Sequence, residues 1–306
     1  SKTLPVIRDF DNRTYIKEDA GKILVGIFEG NSIPAWDKTN KVPEDFSFGE
    51  FQENFEHFEP YLNSAVKRFP VLETAGIRKF FSGPESFTPD TNTLLGEVPE
   101  IKNFFVCCGL NSIGIGSGGG VGKVTAEWLI NGHINEDIFS YDIKRFQKFH
   151  SELGFIKKRI TETLGDLYGM HWPFKQHKTS RNIKTLPYHE NLKSFGACFG
   201  VSGGYERPMW FALDGEKAEY EYSYNYQSWY PSAEYETNNT IKNVGLFDLT
   251  PFSKFEIKSD KAHNELQRIC TANIKNEPGK CIYTHMLNPD GGIEADLTVA
   301  CIEKNH

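Results

Sequence analysis

At 306 residues, with 39% hydrophobic and 25% charged residues, the chain has apolar material for a sizeable core and length for two domains, in the balance of a water-soluble globular protein. Its 41 acidic against 34 basic residues leave a formal net charge of −7, which argues against a nucleic-acid or anionic-membrane partner, and no apolar run approaches the roughly 18 residues of a membrane helix. Six cysteines, at 107, 108, 198, 270, 281 and 301, form no CxxC pair or metal-ligand spacing and read as reduced thiols in a reducing compartment.

From Leu4 to Phe28 apolar and polar residues alternate around the turn signals Asp11-Asn12 and Ala20-Gly21, which predicts antiparallel strands. The spacing Phe51, Phe55, Phe58, Leu62, Val66, Phe69 places one apolar stripe on a helix stopped by Pro70, and core packing is its plain explanation. A strand over 103–108 leads into the run GLNSIGIGSGGGVGK, residues 109–123, and a helix predicted over 121–131 ends at Gly132-His133. Residues 134–184 carry Lys or Arg at 144, 145, 148, 157, 158, 159, 175, 178, 181 and 184, which reads as a helical connector with a solvated charged face. Short strands and turns are expected over 182–211 and an aromatic, polar loop over 219–236. Strands at 244–249 and 254–258, a helix over 261–272, and two strands flanking Asn288-Pro-Asp-Gly-Gly292 complete the reading. The opening at Ser1 without methionine and the apolar run 296–302 at the other end suggest a piece of a longer polypeptide.

The glycine run carries the strongest functional signal. Glycines between a strand and a helix let backbone approach a ligand closely, and the first N–H groups of the helix lack intrahelical partners and suit an electron-rich group. The run is neither familiar phosphate loop. Lys123 is followed by Val124, so there is no GxxxxGK[ST], and the GxGxxG that fits at 114–119 lacks the acidic residue about 20 positions on. Spacing alone therefore leaves a structural turn and a ligand loop equally open.

The segments SGPESFTPDTNTLLGE (82–97), FFVCCGLNSIGIGSGGGVGKVTAEWLINGH (104–133) and YDIKRF (141–146) resemble the end of the flavin domain in the sarcosine and dimethylglycine dehydrogenase family. The segments LPYHENLKSFGACFGVSGGYERPMWF (186–211), GLFDLTPFSKFEI (245–257) and YTHMLNPDGGIEADLTV (283–299) resemble the opening of the folate-binding domain that this family shares with the aminomethyltransferase of glycine cleavage. The resemblance implies an α+β chain. Residues 1–146 would be the C-terminal part of a FAD-dependent oxidoreductase domain, its substrate-side sheet plus the last flavin-binding strand and helix. Residues 147–184 would be a helical connector, and 185–306 the N-terminal part of the aminomethyltransferase-like domain.

The same resemblance implies the site. Gly109, Leu110, Asn111, Ser112, Ile113, Gly114 and Ile115 would face the pyrimidine edge of the flavin, with Gly119, Gly120, Val121, Gly122 and Lys123 supplying the helix start. Donors there would stabilise charge gained on reduction. Asp296 would be the acid beside the reacting nitrogen of tetrahydrofolate, steering an iminium or formaldehyde equivalent by charge and hydrogen bonding. An ordinary strand-edge acid explains it equally well. The neighbouring acid of the transferases is Ala295 here, and Tyr283, Met286 and Leu287 suit either a folate ring or core packing. Phe28, in ILVGIFEGNS (23–32), stands in the substrate pocket where related dehydrogenases often place tyrosine.

The implied cofactors are FAD, with its covalent attachment site upstream of this chain, and tetrahydrofolate. The implied partners are a small methylated amine, sarcosine or dimethylglycine, and an electron-acceptor flavoprotein, in the mitochondrial matrix; residues 1–306 alone would not turn over. Phe28 and HFEPYL (57–62) also resemble a non-dehydrogenase branch of the superfamily, that of the regulatory subunit of pyruvate dehydrogenase phosphatase. ESFTPD and AEYEYSYNY (218–226) lean toward the dehydrogenase. No role attaches to His57, His171 or His285 from sequence.

Overall fold

In a computed structural model, residues 4–134 and 136–304 are described; Ser1, where the sequence opens, lies outside them. The chain divides into two compact units, Ser1–Leu246 and Phe247–His306. Helices mix with small sheets, and every ladder between the named strands is antiparallel.

The first unit opens with β1 (Ile7–Asp9), β2 (Thr14–Asp19) and β3 (Lys22–Ile27), in the order β1-β2-β3. Ala20 and Gly21 form the two-residue turn of the second hairpin with φ of 49° and 74°, the left-handed pair that matches strand twist. Helix α1 (Phe55–Arg68) starts where the Asn54 side chain accepts the His57 N–H at 3.0 Å and stops at Phe69, ahead of Pro70. Its phenylalanines pack less deeply than a core stripe would: Ala65 is buried, whereas Phe55 and Phe58 lean on Phe80 from a half-open surface.

β4 (Leu94–Glu97) and β5 (Phe105–Cys108) form the next sheet and lead into α2 (Gly114–Asn131), which Gly132 ends in the left-handed conformation at φ 76°. The helix thus begins seven residues before the expected 121. Helix α3 (Leu153–Tyr168) occupies the connector, followed by α4 (His189–Ser194) and the hairpin of β6 (Ala197–Ser202) and β7 (Tyr205–Phe211). Pro208 is accommodated in β7 beside a bulge at Cys198/Phe199. The tyrosine-rich loop runs only to Trp229, where α5 (Tyr230–Lys242) begins.

The connector's charges correct the sequence reading. Arg145 exposes only 8% of its side chain, Arg159 is buried, and Arg181 is paired to a carboxylate on β7, so three of these cations are structural. The side chain of Glu206 is almost wholly buried and takes both prongs of Arg181, at 2.7 and 2.5 Å, together with the Asn182 N–H at 2.8 Å. Burial pushes the Glu206 carboxyl up, but these donors outweigh it and hold the group below its ordinary 4.5.

The second unit holds α6 (Ala262–Ile269) and the hairpin of β8 (Cys281–Leu287) and β9 (Ile293–Ala300). The strands expected at 244–249 and 254–258 are absent. A strand needs a neighbour for its backbone groups, and among the described residues these segments have no ladder; Leu246 and Phe255 stand 97% and 88% exposed.

Candidate functional site

Three motifs far apart in sequence meet around the glycine run. Asn111 is buried, and its Oδ1 accepts the Thr88 N–H at 2.8 Å and the Thr88 hydroxyl at 3.2 Å while its Nδ2 donates to Gly109 O at 2.6 Å. Thr88 belongs to ESFTPD, as does Asp90. Arg145, from YDIKRF, donates to Asp90 at 2.6 and 3.0 Å and to the carbonyls of Asn92, Tyr141 and Asp142. The strand-end loop is therefore clamped through Thr88, and Arg145 braces the segment that carries Thr88, a preorganised first requirement for any ligand loop.

The loop conformation follows from this clamp. Gly109, Asn111 and Ser112 have φ of 65°, 49° and 65°. At Gly109 a Cβ would also come within 2.7 Å of the Thr88 methyl carbon, so only glycine fits. Asn tolerates the left-handed region because its side chain bonds locally. Beyond the loop, α2 starts at Gly114 with Ile113 as its cap residue and no side-chain hydrogen bond to the cap. The first intrahelical bond there runs from the Ser117 N–H to Ile113 O, which leaves the earlier N–H groups pointing out of the helix start.

This placement divides the candidate residues. Gly109 to Ile115 form the loop and the helix start, with Leu110 half-buried and Ile113 and Ile115 exposed. Gly119, Gly120, Val121, Gly122 and Lys123 do not start the helix; they lie in its second and third turns. Added Cβ atoms at Gly116, Gly118, Gly119, Gly120 and Gly122 would meet nothing within 4 Å. Interior glycines weaken a helix by about 1 kcal/mol each, and on this open helix their recurrence brings α2 no packing in return. Lys123 points to solvent and pairs with Glu127 at 3.6 Å.

Phe28 sits in an aromatic column. Its ring stacks on Tyr168 of α3 at 3.4 Å and 4°, and tilts against Tyr15 at 5.8 Å, while the Arg8 guanidinium covers Tyr168 at 4.5 Å. Burial, with Tyr168 and Glu85 nearby, pushes the Tyr15 phenol above its ordinary value. A groove of about 460 Å³ in this unit is lined by Arg8, Asp9, Phe10, Arg68, Phe69 and Met170, among others, and not by Phe28.

In the second unit Asp296 lies on β9 directly across from His285 on β8. Its Oδ2 accepts the Tyr283 hydroxyl at 2.7 Å, and the same hydroxyl stands 3.2 Å from His285 Nε2. His285, which has no role assigned from sequence, thus joins the candidate acid. The signal was the i, i+2 spacing of Tyr283 and His285 opposite an acid across a turn, but a bulge opposite Met286/Leu287 shifts the register and hides it. Met286 falls on the alternate face of the strand.

Comparison with known proteins matches three family models along the chain: FAD dependent oxidoreductase over 1–128, FAD dependent oxidoreductase central domain over 131–185 and GCVT N-terminal domain over 188–306. A sarcosine dehydrogenase of Homo sapiens, named as mitochondrial, is 33% identical over 332 residues, covering 100% of this chain and 36% of its own length. This chain belongs to the sarcosine and dimethylglycine dehydrogenase family. A 4-methylaminobutanoate oxidase (formaldehyde-forming) of Paenarthrobacter nicotinovorans is 41% identical over 97% of this chain and 36% of its own. The mitochondrial regulatory subunit of pyruvate dehydrogenase phosphatase of Mus musculus is 34% identical over 98% and 34%. The chain spans about a third of the length of these relatives. Among the described residues, no helix of this family member is long and apolar enough to cross a membrane.

Proposed function

We propose that this chain is the middle of a flavin-dependent dehydrogenase that demethylates an N-methylated amino acid, sarcosine or dimethylglycine, and passes the carbon to tetrahydrofolate. The observation that carries this reading is the order of the matches: an oxidoreductase domain, its central domain and a GCVT domain succeed one another over the chain. In domain terms the reading divides the chain at 146 and 184, with the flavin-side sheet, last strand and helix before the connector and the transfer domain after it.

The loop and the start of α2 suit a flavin. Their donors are backbone N–H groups with no side chain competing for them, as an electron-rich ring edge requires. When bound, the flavin supplies a two-electron acceptor for the methyl C–H bond. Gly109 and Asn111 hold the loop against Thr88, Arg145 braces the neighbouring Asp90 and Asn92, and Gly114, Ile115 and Gly116 would offer their N–H groups to the ring edge. The bare faces of Gly119, Gly120 and Gly122 leave α2 open to close approach by the flavin or the backbone that holds it. Phe28, with Tyr168 behind it, forms an apolar wall of the substrate side, excluding water from the amine.

The substrate nitrogen, after its methyl group loses hydride, is an iminium. Addition of water releases formaldehyde, whose carbon forms two C–N bonds with the two reactive N–H groups of tetrahydrofolate, with loss of water. Asp296 accepts a proton from a folate nitrogen as it adds to the formaldehyde carbon, and attracts the folate iminium left when that adduct loses water. Covalent flavin attachment upstream, an electron-acceptor flavoprotein and a mitochondrial matrix location complete the proposal; sarcosine and dimethylglycine dehydrogenase relatives named as mitochondrial support the last. A regulatory reading is favoured by one observation, the regulatory subunit at 34% identity. Anaerobic titration of the full-length protein with sarcosine, dimethylglycine or 4-methylaminobutanoate decides between them. Bleaching of the flavin by one of these amines is expected, and retained flavin that none of them reduces sinks the enzyme reading.

A further inference from the structure

We propose that Tyr283 and His285 are positioning residues that hold the Asp296 carboxylate for one-carbon transfer; the inference rests on the folate reading of Asp296. A phenol has one proton to give. The Tyr283 hydroxyl lies 2.7 Å from Asp296 Oδ2, and an ionised carboxylate can only accept, so that proton goes to Asp296. The 3.2 Å contact with His285 Nε2 is then completed by an imidazole N–H donating into a phenol lone pair. His285 therefore carries its proton on Nε2, and donation runs in one direction, from His285 to Tyr283 to Asp296.

The chain of donors fixes geometry as well as charge. Tyr283 and His285 are two residues apart on β8, share one face, and meet edge to face at 5.1 Å and 78°. His285 and Asp296 are register partners across the hairpin. Asp296 Oδ2 is thereby occupied from the strand side, while Oδ1 has no hydrogen-bond partner among the described residues and is left for an incoming N–H or cationic carbon. The bond to Asp296 pushes the Tyr283 phenol above its ordinary 10.0, so the hydroxyl remains a donor through the neutral range. Tyr283 is 59% exposed. An exposed carboxylate without such a brace samples several rotamers, and loss of alignment by a fraction of an ångström is costly in transfer chemistry.

The test uses the full-length, flavin-loaded protein turning over sarcosine, dimethylglycine and 4-methylaminobutanoate with tetrahydrofolate, and reads the ratio of methylene-tetrahydrofolate to free formaldehyde per amine oxidised. Asp296→Asn should collapse the ratio. Tyr283→Phe should lower it about tenfold, in kcat of the folate-dependent step more than in KM for tetrahydrofolate, and should add nothing to Asp296→Asn. His285→Ala should lower it and His285→Gln, whose amide can donate, should restore it. A Tyr283→Phe ratio equal to wild type while Asp296→Asn collapses overturns the inference and leaves the folate reading standing, and full additivity of the two substitutions does the same. An unchanged ratio in Asp296→Asn, or oxidation of none of the three amines, overturns both.

Discussion

Asn111 makes three hydrogen bonds from a buried position at a φ of 49°, so its replacement removes both a polar tie and one of the few side chains at ease in that conformation. Asn111→Ala strands the buried Thr88 N–H, which costs about 1–3 kcal/mol, and the half-buried Gly109 carbonyl, which costs less. We expect a loss of about 3 kcal/mol in urea unfolding, with weaker flavin retention in the full-length protein; a loss below 1 kcal/mol would mean that the loop is not clamped there. Cys198 is a second residue with a definite expectation. Burial pushes its thiol up to about 11, so it should resist iodoacetamide at pH 8 in the folded protein and react once urea exposes it, as thiolate chemistry requires. The legibility of single residues was uneven. Asn111 and Asp296 stand inside quoted motifs, whereas Arg145 and Arg181 looked like surface charge, because sequence gives no sign of the carboxylates, Asp90 and Glu206, that they reach from 55 and 25 positions away.

At the scale of elements, α2 is the instructive case. Its first two turns are glycine-rich, which helix propensity alone reads as loop, and the structure nevertheless extends the helix from Asn131 back to Gly114. Propensity is a weak prior that context overrides, and here the helix starts with the Ser117 N–H on Ile113 O and runs on through the glycines to Asn131. Gly119→Ala meets nothing within 4 Å and should stabilise α2 of this chain by about 1 kcal/mol, read as a raised Tm. In the full-length protein the same methyl group should weaken flavin retention. A gain in both would show that the open glycine face is not an approach surface. The hairpins were legible, since Ala20-Gly21 and Asn288–Gly292 are turn signals between alternating runs. The strands expected at 244–249 and 254–258 do not form, because β pattern reports a segment's preference and says nothing of whether a partner strand is at hand.

For the molecule as a whole, acid stability rests on carboxylates held by buried donors. Burial pushes Glu162 and Glu206 up, but Thr179 and Lys178 around the first and Arg181 and Asn182 around the second outweigh it, leaving both below 4.5. A lowered folded value means that the stabilisation is complete above the unfolded pKa and is lost as pH falls through the folded one. Urea midpoints should therefore drop below about pH 4.5, and Glu206→Gln should flatten that drop while lowering stability at pH 7; an identical acid profile in the variant would refute the assignment. In the proposed function, one protein oxidises an N-methyl group and delivers its carbon to folate. Carbon-13 NMR of the full-length protein turning over N-[13C]methyl amino acids with tetrahydrofolate tests it most directly. The label is expected in methylene-tetrahydrofolate, whereas label that stays on the amine, or that leaves only as free formaldehyde, would refute the proposed function.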